Sequence, residues 1–252
     1  MWPRIGPIPT YSIFYLLGLA AHFFLCWRFA HRLHLKKRIW LSVSLCYFLG
    51  MYPCATILYH VRLPDFDPAI IFQTQTYLQG GLWGGLLAYI LLAGPLVWLL
   101  NKQRRASLDL IALTIPIPWI LARTGCLFNG CCYGRACSLP WAITFPEQAE
   151  PAIAGIAVHP TQVYDMLLMG LVLVVFRLLP PDRWRGTLLL WFLSIYGLGR
   201  ATIDVFRGDM DRYTYLGFLT LTQLICLLAA AGSLALLLLS KRLKPQSGQL
   251  PC

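Results

Sequence analysis

The chain alternates long apolar segments with short polar ones over almost its whole length. Seven apolar segments have about the length, roughly 20 residues, with which an α-helix crosses about 30 Å of hydrocarbon. We predict spans at 11–30, 40–61, 79–100, 108–123, 161–179, 186–206 and 216–239. Because backbone polar groups in lipid must be hydrogen-bonded within the protein, such segments form helices. The pattern therefore predicts an all-α integral membrane protein with seven transmembrane helices.

The polar segments are too short to form a separate soluble domain. The longest, at 124–160, is predicted to be a polar outer loop, so residues 1–252 form a single polytopic membrane domain. The composition agrees, because only 12% of the residues are charged, against about a quarter in soluble domains. The first apolar run is too long for a signal peptide, and Arg28 and Arg32 follow it instead of preceding it. We therefore expect no cleavable signal peptide.

The basic residues lie mostly at one end of the predicted spans. Fourteen of the 21 Lys and Arg residues follow the first, third, fifth and seventh spans. Because Lys and Arg are enriched in cytoplasmic loops, this distribution predicts an N-terminus outside and a C-terminus in the cytoplasm. The net charge of +11 is therefore interpreted by its location in the membrane protein, and we expect no nucleic-acid partner, although topology alone does not account for the other seven basic residues. The remaining basic residues are Arg4, Arg62, Arg123, Arg135, Arg200, Arg207 and Arg212.

The segment that begins at Arg123 has the composition of an anion site. The span before it contains Pro116 and Pro118, which predict a bend, and Arg123 lies in its last turn. A charged side chain near hydrocarbon is costly, so proteins rarely place one there without a counter-charge or a ligand. Glycine lets backbone N–H groups approach a bound group closely. Within the next dozen residues come Asn129 and Gly125, Gly130 and Gly134.

The sixth span has one polar face. At about 100° per residue, Tyr196, Arg200, Asp204 and Arg207 project into a single arc. If the helix ends near residue 206, Arg200 lies roughly 9 Å inside that end. A purely structural Arg200–Asp204 pair at i,i+4 is the simpler interpretation. It leaves Tyr196 and Arg207 unexplained, so we favour a functional site.

Two helix starts have a structural interpretation beside a functional one. Tyr11 opens the first span, where tyrosine commonly anchors a helix at the interface. Gln79, Gly80 and Gly81 open the third span. Paired glycines favour close helix packing, although a helix start also presents N–H groups to an anion.

The fifth span and the loop before it add polar candidates. His159 and Pro160 are predicted to form the entry of this helix, where a histidine is more often a hydrogen-bond partner than a catalyst. Gln162 and Asp165 lie three residues apart and share a face. Residues 142–145 are predicted to form a short extended segment.

Four cysteines in the loop suggest an alternative function. Cys126, Cys131, Cys132 and Cys137 do not have the C-x-x-C spacing of common zinc sites, so we expect no metal and no cofactor. A disulfide within the loop is an alternative in an oxidising compartment. A membrane thiol-redox or metal protein that uses these cysteines is therefore the second functional hypothesis.

The candidate residues form three motifs, which are Arg123-x-Gly-x-x-x-Asn129-Gly-x-x-x-Gly134, His159-Pro-x-Gln162-x-Tyr164 and Tyr196-Gly-x-x-Arg200-x-x-x-Asp204-x-x-Arg207. Taken in order, these motifs resemble the prolipoprotein diacylglyceryl transferase family. The resemblance extends from Tyr11 to the last span. It implies a multi-pass enzyme of the bacterial inner membrane with seven spans and an outside N-terminus, in agreement with the charge distribution.

The resemblance implies a lipid-to-thiol transfer. The sn-1,2-diacylglyceryl group of phosphatidylglycerol, a membrane lipid, moves to the thiol of the lipobox cysteine in a prolipoprotein signal peptide, and glycerol 1-phosphate is released. This is the first step of bacterial lipoprotein maturation. The implied catalytic residues are Arg123, Arg200, Tyr196 and His159. The implied substrate-binding residues are Tyr11, Gln79, Gly80, Gly81, Asn129, Gly134, Gln162, Tyr164, Asp204 and Arg207.

The chain departs from the family's common residues at several of these positions. Gln79 stands where histidine or tyrosine is common, and an amide cannot act as a base near neutral pH. Cys126 and Cys131 stand where asparagine and glutamate are common, and Asp204 replaces a common glutamate. The base that activates the thiol is therefore left open between His159 and Asp204.

Overall fold

The computed structural model describes residues 4–5, 8–55, 57, 82–146, 154–179, 186–208, 214–215 and 219–242. The predicted site residues Gln79, Gly80 and Gly81 lie outside these ranges, as do parts of the second and third predicted spans. Helices account for most of the described residues. They are α1 Thr10–Arg32, α2 Lys37–Leu49, α3 Leu82–Leu100, α4 Arg104–Thr114, α5 Pro116–Asn129, α6 Thr161–Leu178, α7 Leu188–Val205 and α8 Leu221–Arg242.

Five helical segments of the described chain are long and apolar enough to cross a membrane. They are α1, the segment Arg104–Asn129 that comprises α4 and α5, α6, α7, and Leu221–Leu239 of α8. Two shorter helical regions occupy the second and third predicted spans. There α2 continues into a π-helix at Gly50–Cys54, and α3 contains the apolar stretch Gly84–Leu100. The fold is thus that of a mostly α-helical membrane protein.

The fourth predicted span is longer than 108–123 and is broken in the middle. Ile115 separates α4 from α5, because Pro116 has no N–H and its ring clashes with the carbonyl one turn earlier. The predicted start of the outer loop at residue 124 is wrong, since α5 continues to Asn129. Gly130, with a φ of 75°, then ends the helix in the left-handed conformation. Arg123 consequently lies inside α5, more than one turn before its end.

Short antiparallel strands lie beside the helices. The predicted extended segment forms β3 Ile143–Thr144, which pairs with β4 Ala157–Val158 in the register Ile143↔Val158. The other two hairpins are β1 Arg4–Ile5 with β2 Ile8–Pro9, and β5 Thr214–Tyr215 with β6 Leu219–Thr220. The β3–β4 hairpin leads directly into α6 and so lies next to the predicted site.

The helices pack as a continuous bundle. α5 packs against α1 and α6, α6 packs against α7, and α7 packs against α8. The three helices that carry most of the predicted polar residues, α5, α6 and α7, are therefore consecutive neighbours.

The distribution of exposed residues is that of a protein surrounded by lipid. Large apolar side chains lie on the outside, such as Leu99 with 80% and Leu178 with 75% of its surface exposed. Charged residues lie inside, including Arg123 with 2% and Asp165 with 1% of the whole residue's surface exposed. Charged residues are almost never fully buried in soluble proteins unless they are paired. The bundle thus encloses a polar interior within an apolar surface.

Candidate active site

Arg123 and Asp165 form a buried ion pair between two helices. The Nη2 atom of Arg123 on α5 lies 2.6 Å from Oδ2 of Asp165 on α6, and both side chains are 2% exposed. The guanidinium group also lies over the indole of Trp119, with its carbon 5.2 Å from the ring centroid. Helix α5, the indole ring and the carboxylate together therefore fix the position of the Arg123 side chain.

Tyr196 lies in the neighbourhood of both predicted arginines. Its ring contacts Trp119 edge-on at a centroid distance of 5.7 Å, and it stacks on Phe192 at 5.3 Å. Tyr196 lies within electrostatic range of Asp165, Arg200 and Arg123. Arg200 follows it by one helical turn on α7. The structure thus brings Arg123, Tyr196 and Arg200 into one region of the bundle, as the motifs predicted.

Arg200 is paired with Asp204 on the same helix. Its Nη2 atom lies 3.4 Å from Oδ1 of Asp204, and Arg200 is 3% exposed. The other carboxylate oxygen, Oδ2, accepts a hydrogen bond of 2.6 Å from the hydroxyl of Thr220. The structural pair considered from the sequence therefore forms, and it accounts for only one nitrogen of the guanidinium group.

The predicted arc on α7 is wrong at its last member. The helix ends at Val205, and the backbone of Arg207 forms an isolated antiparallel bridge with Gly134. Arg207 has left the helix but is still buried. Periodicity placed it correctly inside the protein and incorrectly on the helix.

Several buried polar atoms in this region have no hydrogen-bond partner among the described residues. Buried polar groups are nearly always hydrogen-bonded, and an unsatisfied one costs about 1–3 kcal/mol. Such a group of atoms is expected where a polar ligand binds. The atoms are Nε1 of Trp119, Nε of Arg123, Oε1 of Gln162, Oδ1 of Asp165, the hydroxyl of Tyr196, and Nε and Nη1 of Arg200.

His159 lies in a separate aromatic cluster at the start of α6. Its Nδ1 atom is 3.1 Å from the hydroxyl of Tyr164, which also accepts a hydrogen bond of 2.9 Å from Nε1 of Trp141. The imidazole ring lies 5.0 Å from the ring of Phe206 at the end of α7. His159 and Tyr164 are thus brought together, and both are half-buried.

The backbone at Gly134 joins the loop to the segment that precedes α6 and to the end of α7. Its N–H donates to the carbonyl of His159 at 2.8 Å, and Arg135 N–H donates to the carbonyl of Phe206 at 2.8 Å. A Cβ atom on Gly134 would lie 2.5 Å from Cβ of His159 and 2.6 Å from the carbonyl oxygen of Phe206. Only glycine fits this close approach of three backbone segments.

The remaining described candidates line the junction of α1, α5 and α6. Tyr11 is buried at the start of α1 and stacks on Tyr15 with a centroid distance of 5.1 Å. Asn129 is the last residue of α5. The side-chain N–H of Gln162 donates to the carbonyl of Cys131 at 2.7 Å. These residues surround the end of α5 that follows Arg123.

Comparison with known proteins places the chain in a family. A sequence model described as prolipoprotein diacylglyceryl transferase matches residues 3–239. The chain belongs to the prolipoprotein diacylglyceryl transferase family. The resemblance inferred from the three motifs is thereby confirmed, and with it the assignment to the transferases of lipoprotein biosynthesis.

Curated relatives of this family match over most of their length. All three of the following are named phosphatidylglycerol–prolipoprotein diacylglyceryl transferase. The protein from Rhodospirillum centenum is 32% identical, with 88% of this chain and 84% of the relative covered. That from Methylobacillus flagellatus is 31% identical, with 85% and 83% covered. That from Pseudomonas putida strain W619 is 26% identical, with 97% of both covered. These matches do not favour the thiol-redox or metal hypothesis.

Sequence reasoning missed three side chains that contact the site. Trp119 was counted among the apolar residues of a span, although it lies four residues before Arg123 and hence on the same face. Trp141 and Phe206 contact the His159 cluster only through tertiary packing. Asp165 was noticed for sharing a face with Gln162, and an acid inside a predicted span is itself a signal of function.

Proposed function

We propose that this chain transfers the sn-1,2-diacylglyceryl group of phosphatidylglycerol to the lipobox cysteine of prolipoproteins, with release of glycerol 1-phosphate. The observation that carries the proposal is the set of buried guanidinium nitrogens on Arg123 and Arg200 that have no hydrogen-bond partner among the described residues. Arginine stays charged in a low dielectric and binds phosphate in a bidentate manner. A lipid phosphodiester supplies the acceptor atoms that these nitrogens lack.

In this proposal the arginines act mainly on the departing group. The sulfur of the lipobox cysteine forms a bond to the sn-3 carbon of the lipid, and the bond between that carbon and the phosphate oxygen breaks. Negative charge then gathers on the glycerol phosphate. Donors that are fixed in place before the reaction stabilise such charge, and loss of one donor costs about 100-fold to 1,000-fold in rate. The Trp119 indole and the Asp165 carboxylate fix Arg123 in this way.

The incoming thiol must lose its proton to become a nucleophile. Asp204 is paired with Arg200 and accepts a hydrogen bond from Thr220, so its charge is already engaged. His159 is half-buried, and its Nδ1 atom is fixed by Tyr164. We assign the base to His159, which receives the thiol proton at Nε2. Tyr196, whose hydroxyl lacks a partner among the described residues, donates to the phosphate.

The proposed location follows from the charge distribution. We place the enzyme in the bacterial inner membrane with seven spans, the N-terminus outside and the C-terminus in the cytoplasm. The basic residues that follow the first, third, fifth and seventh spans support this orientation. It puts the ends of α5 and α7 and the start of α6 near the outer surface, where a prolipoprotein signal peptide arrives.

Arginine substitutions test the proposal directly. Arg123→Ala and Arg200→Ala are expected to lower transfer from phosphatidylglycerol to a lipobox peptide by at least about 100-fold, since each removes a charged donor from the phosphate. Transfer is measured by mass spectrometry of the peptide, together with the glycerol phosphate released. Arg28→Ala is the matched control, because that arginine is exposed on α1. Near wild-type transfer by both Arg123→Ala and Arg200→Ala would refute the assigned site.

A further inference from the structure

The thiol of Cys126 and those of the adjacent residues Cys131 and Cys132 converge at the end of α5. The sulfur atoms of Cys126, Cys131 and Cys132 all lie within 4.8 Å of one another. The chain reverses at Gly130, with a φ of 75°, and again at Cys132, with a φ of 64°. A positive φ is uncommon for a residue other than glycine and marks a conformation that the surroundings impose. The reversal returns the thiols of Cys131 and Cys132 to that of Cys126.

The neighbouring helix fixes this conformation. Gln162 on α6 donates to the carbonyl of Cys131 at 2.7 Å, and the hydroxyl of Thr161 donates to the carbonyl of Cys132 at 2.6 Å. Both polar side chains are buried. The N–H of Cys131 also donates to the carbonyl of Cys126 at 3.2 Å. The positions of the three thiols are therefore set before any ligand arrives.

The three thiols form a set of soft ligands, which is the kind that selects zinc-class cations. Thiolate is the form of cysteine that binds metals and reacts with electrophiles.

We propose that Cys126, Cys131 and Cys132 form a binding site for one thiophilic divalent cation of the Zn²⁺ and Cd²⁺ class. Zn–S bonds of about 2.3 Å in a tetrahedral arrangement place sulfur atoms about 3.8 Å apart. The sulfurs need to approach one another by no more than about 1 Å to reach that geometry. The thiols release their protons to solvent when the cation binds.

This site is one that sequence spacing does not reveal. Common zinc sites pair their cysteines as C-x-x-C, whereas here the ligands come from a helix and from the two residues that follow its reversal. Cation binding is expected to cross-link Cys126 on α5 to Cys131 and Cys132, whose carbonyl groups are hydrogen-bonded to side chains of α6. It should stabilise the folded protein, because a ligand that binds only the folded state raises its stability.

The test uses the full-length, reduced protein in detergent and Cd²⁺ as the probe. We expect one Cd²⁺ per chain to bind with cadmium–thiolate charge-transfer absorption and to raise the melting temperature. Cys132→Ser is expected to bind at least about 10-fold more weakly. The triple replacement of Cys126, Cys131 and Cys132 by serine should lose both the absorption and the thermal shift. Cys137→Ser is the matched control, since Cys137 lies in the same loop but outside the cluster.

Two outcomes would overturn the proposal. One is equal Cd²⁺ absorption and thermal shift in the wild type and the triple variant. The other is a disulfide between two of these cysteines, detected when thiols are alkylated in intact cells before lysis. If the triple variant does not fold, as judged by circular dichroism, Cys131→Ser and Cys132→Ser decide the question, and unweakened binding in both would refute the site. The proposal does not depend on the assignment of Arg123 and Arg200 to the lipid phosphate.

Discussion

At the residue scale, breaking the Arg123–Asp165 ion pair tests whether Arg123 only stabilises the fold or also binds the lipid phosphate. Asp165→Asn leaves a buried guanidinium group without its counter-charge, which costs about 3–5 kcal/mol in buried pairs. We expect a lower melting temperature and reduced transfer. If Arg123 binds a lipid phosphate, phosphatidylglycerol should raise the melting temperature of this variant more than that of the wild type. The measurement is thermal unfolding in lipid–detergent micelles with and without phosphatidylglycerol.

The control for this prediction is another buried acid. Asp109 on α4 accepts hydrogen bonds from the N–H groups of Gly186 and Leu188. Asp109→Asn is expected to destabilise the protein without any added benefit from phosphatidylglycerol. Equal lipid effects on both variants would show that the Asp165 site does not bind the headgroup.

At the residue scale, charge inside an apolar segment could be read directly from the sequence. Arg123 and Arg200 stand out because charge in hydrocarbon requires a reason. The partner of Arg123 could not be derived in the same way, since Asp165 lies on another helix and no periodicity connects the two. The Arg200–Asp204 pair was foreseeable, because both residues lie on one helix at i,i+4.

At the element scale, the packing of α7 on α8 sets the position of Tyr196 and Arg200. A Cβ atom on Gly197 would lie 2.5 Å from the backbone carbonyl oxygen of Cys226, which cannot move independently of α8. Gly197→Ala is therefore expected to displace α7, lower the melting temperature and reduce transfer. Overpacking of this kind costs about 1–3 kcal/mol.

The control is a glycine with free space around it. A Cβ atom on Gly232 of α8 has no atom within 4 Å, so Gly232→Ala should leave both transfer and thermal unfolding close to wild type. Thermal unfolding and peptide transfer are measured for both variants. Comparable losses in the two would show that close packing at Gly197 is not the cause.

The bounds of a helix could be predicted where they depend on the length of an apolar segment. They were harder to predict where they depend on tertiary contacts. The bounds of α6 and α7 differ from prediction by at most two residues at each end. The end of α5 was misplaced, because residues 124–129 are polar enough to resemble a loop but remain helical while packed between α1 and α6. Arg207 was misplaced for a related reason, since its backbone pairs with Gly134 from a distant segment.

At the scale of the whole molecule, the apolar exterior and the charged interior have the same physical cause, which is the surrounding lipid. Lipid removes the need to bury leucine, so the bundle interior is free to hold arginines, acids and tyrosines. This arrangement fixes where the site lies within the bundle but not which membrane surface it faces. That choice comes from the Lys and Arg residues at the span ends.

Reporter fusions decide the proposed orientation. Alkaline phosphatase is active only outside the cytoplasm, so we expect high activity for a fusion after residue 146, in the loop that carries Gly134, and low activity after residue 105 or at the C-terminus. A fluorescent protein that matures in the cytoplasm should give the opposite pattern at the same positions. If the fusion after residue 146 were inactive with phosphatase and fluorescent with the second reporter, the site would face the cytoplasm. His159, the proposed base, would then be on the wrong side for a substrate that arrives at the outer surface.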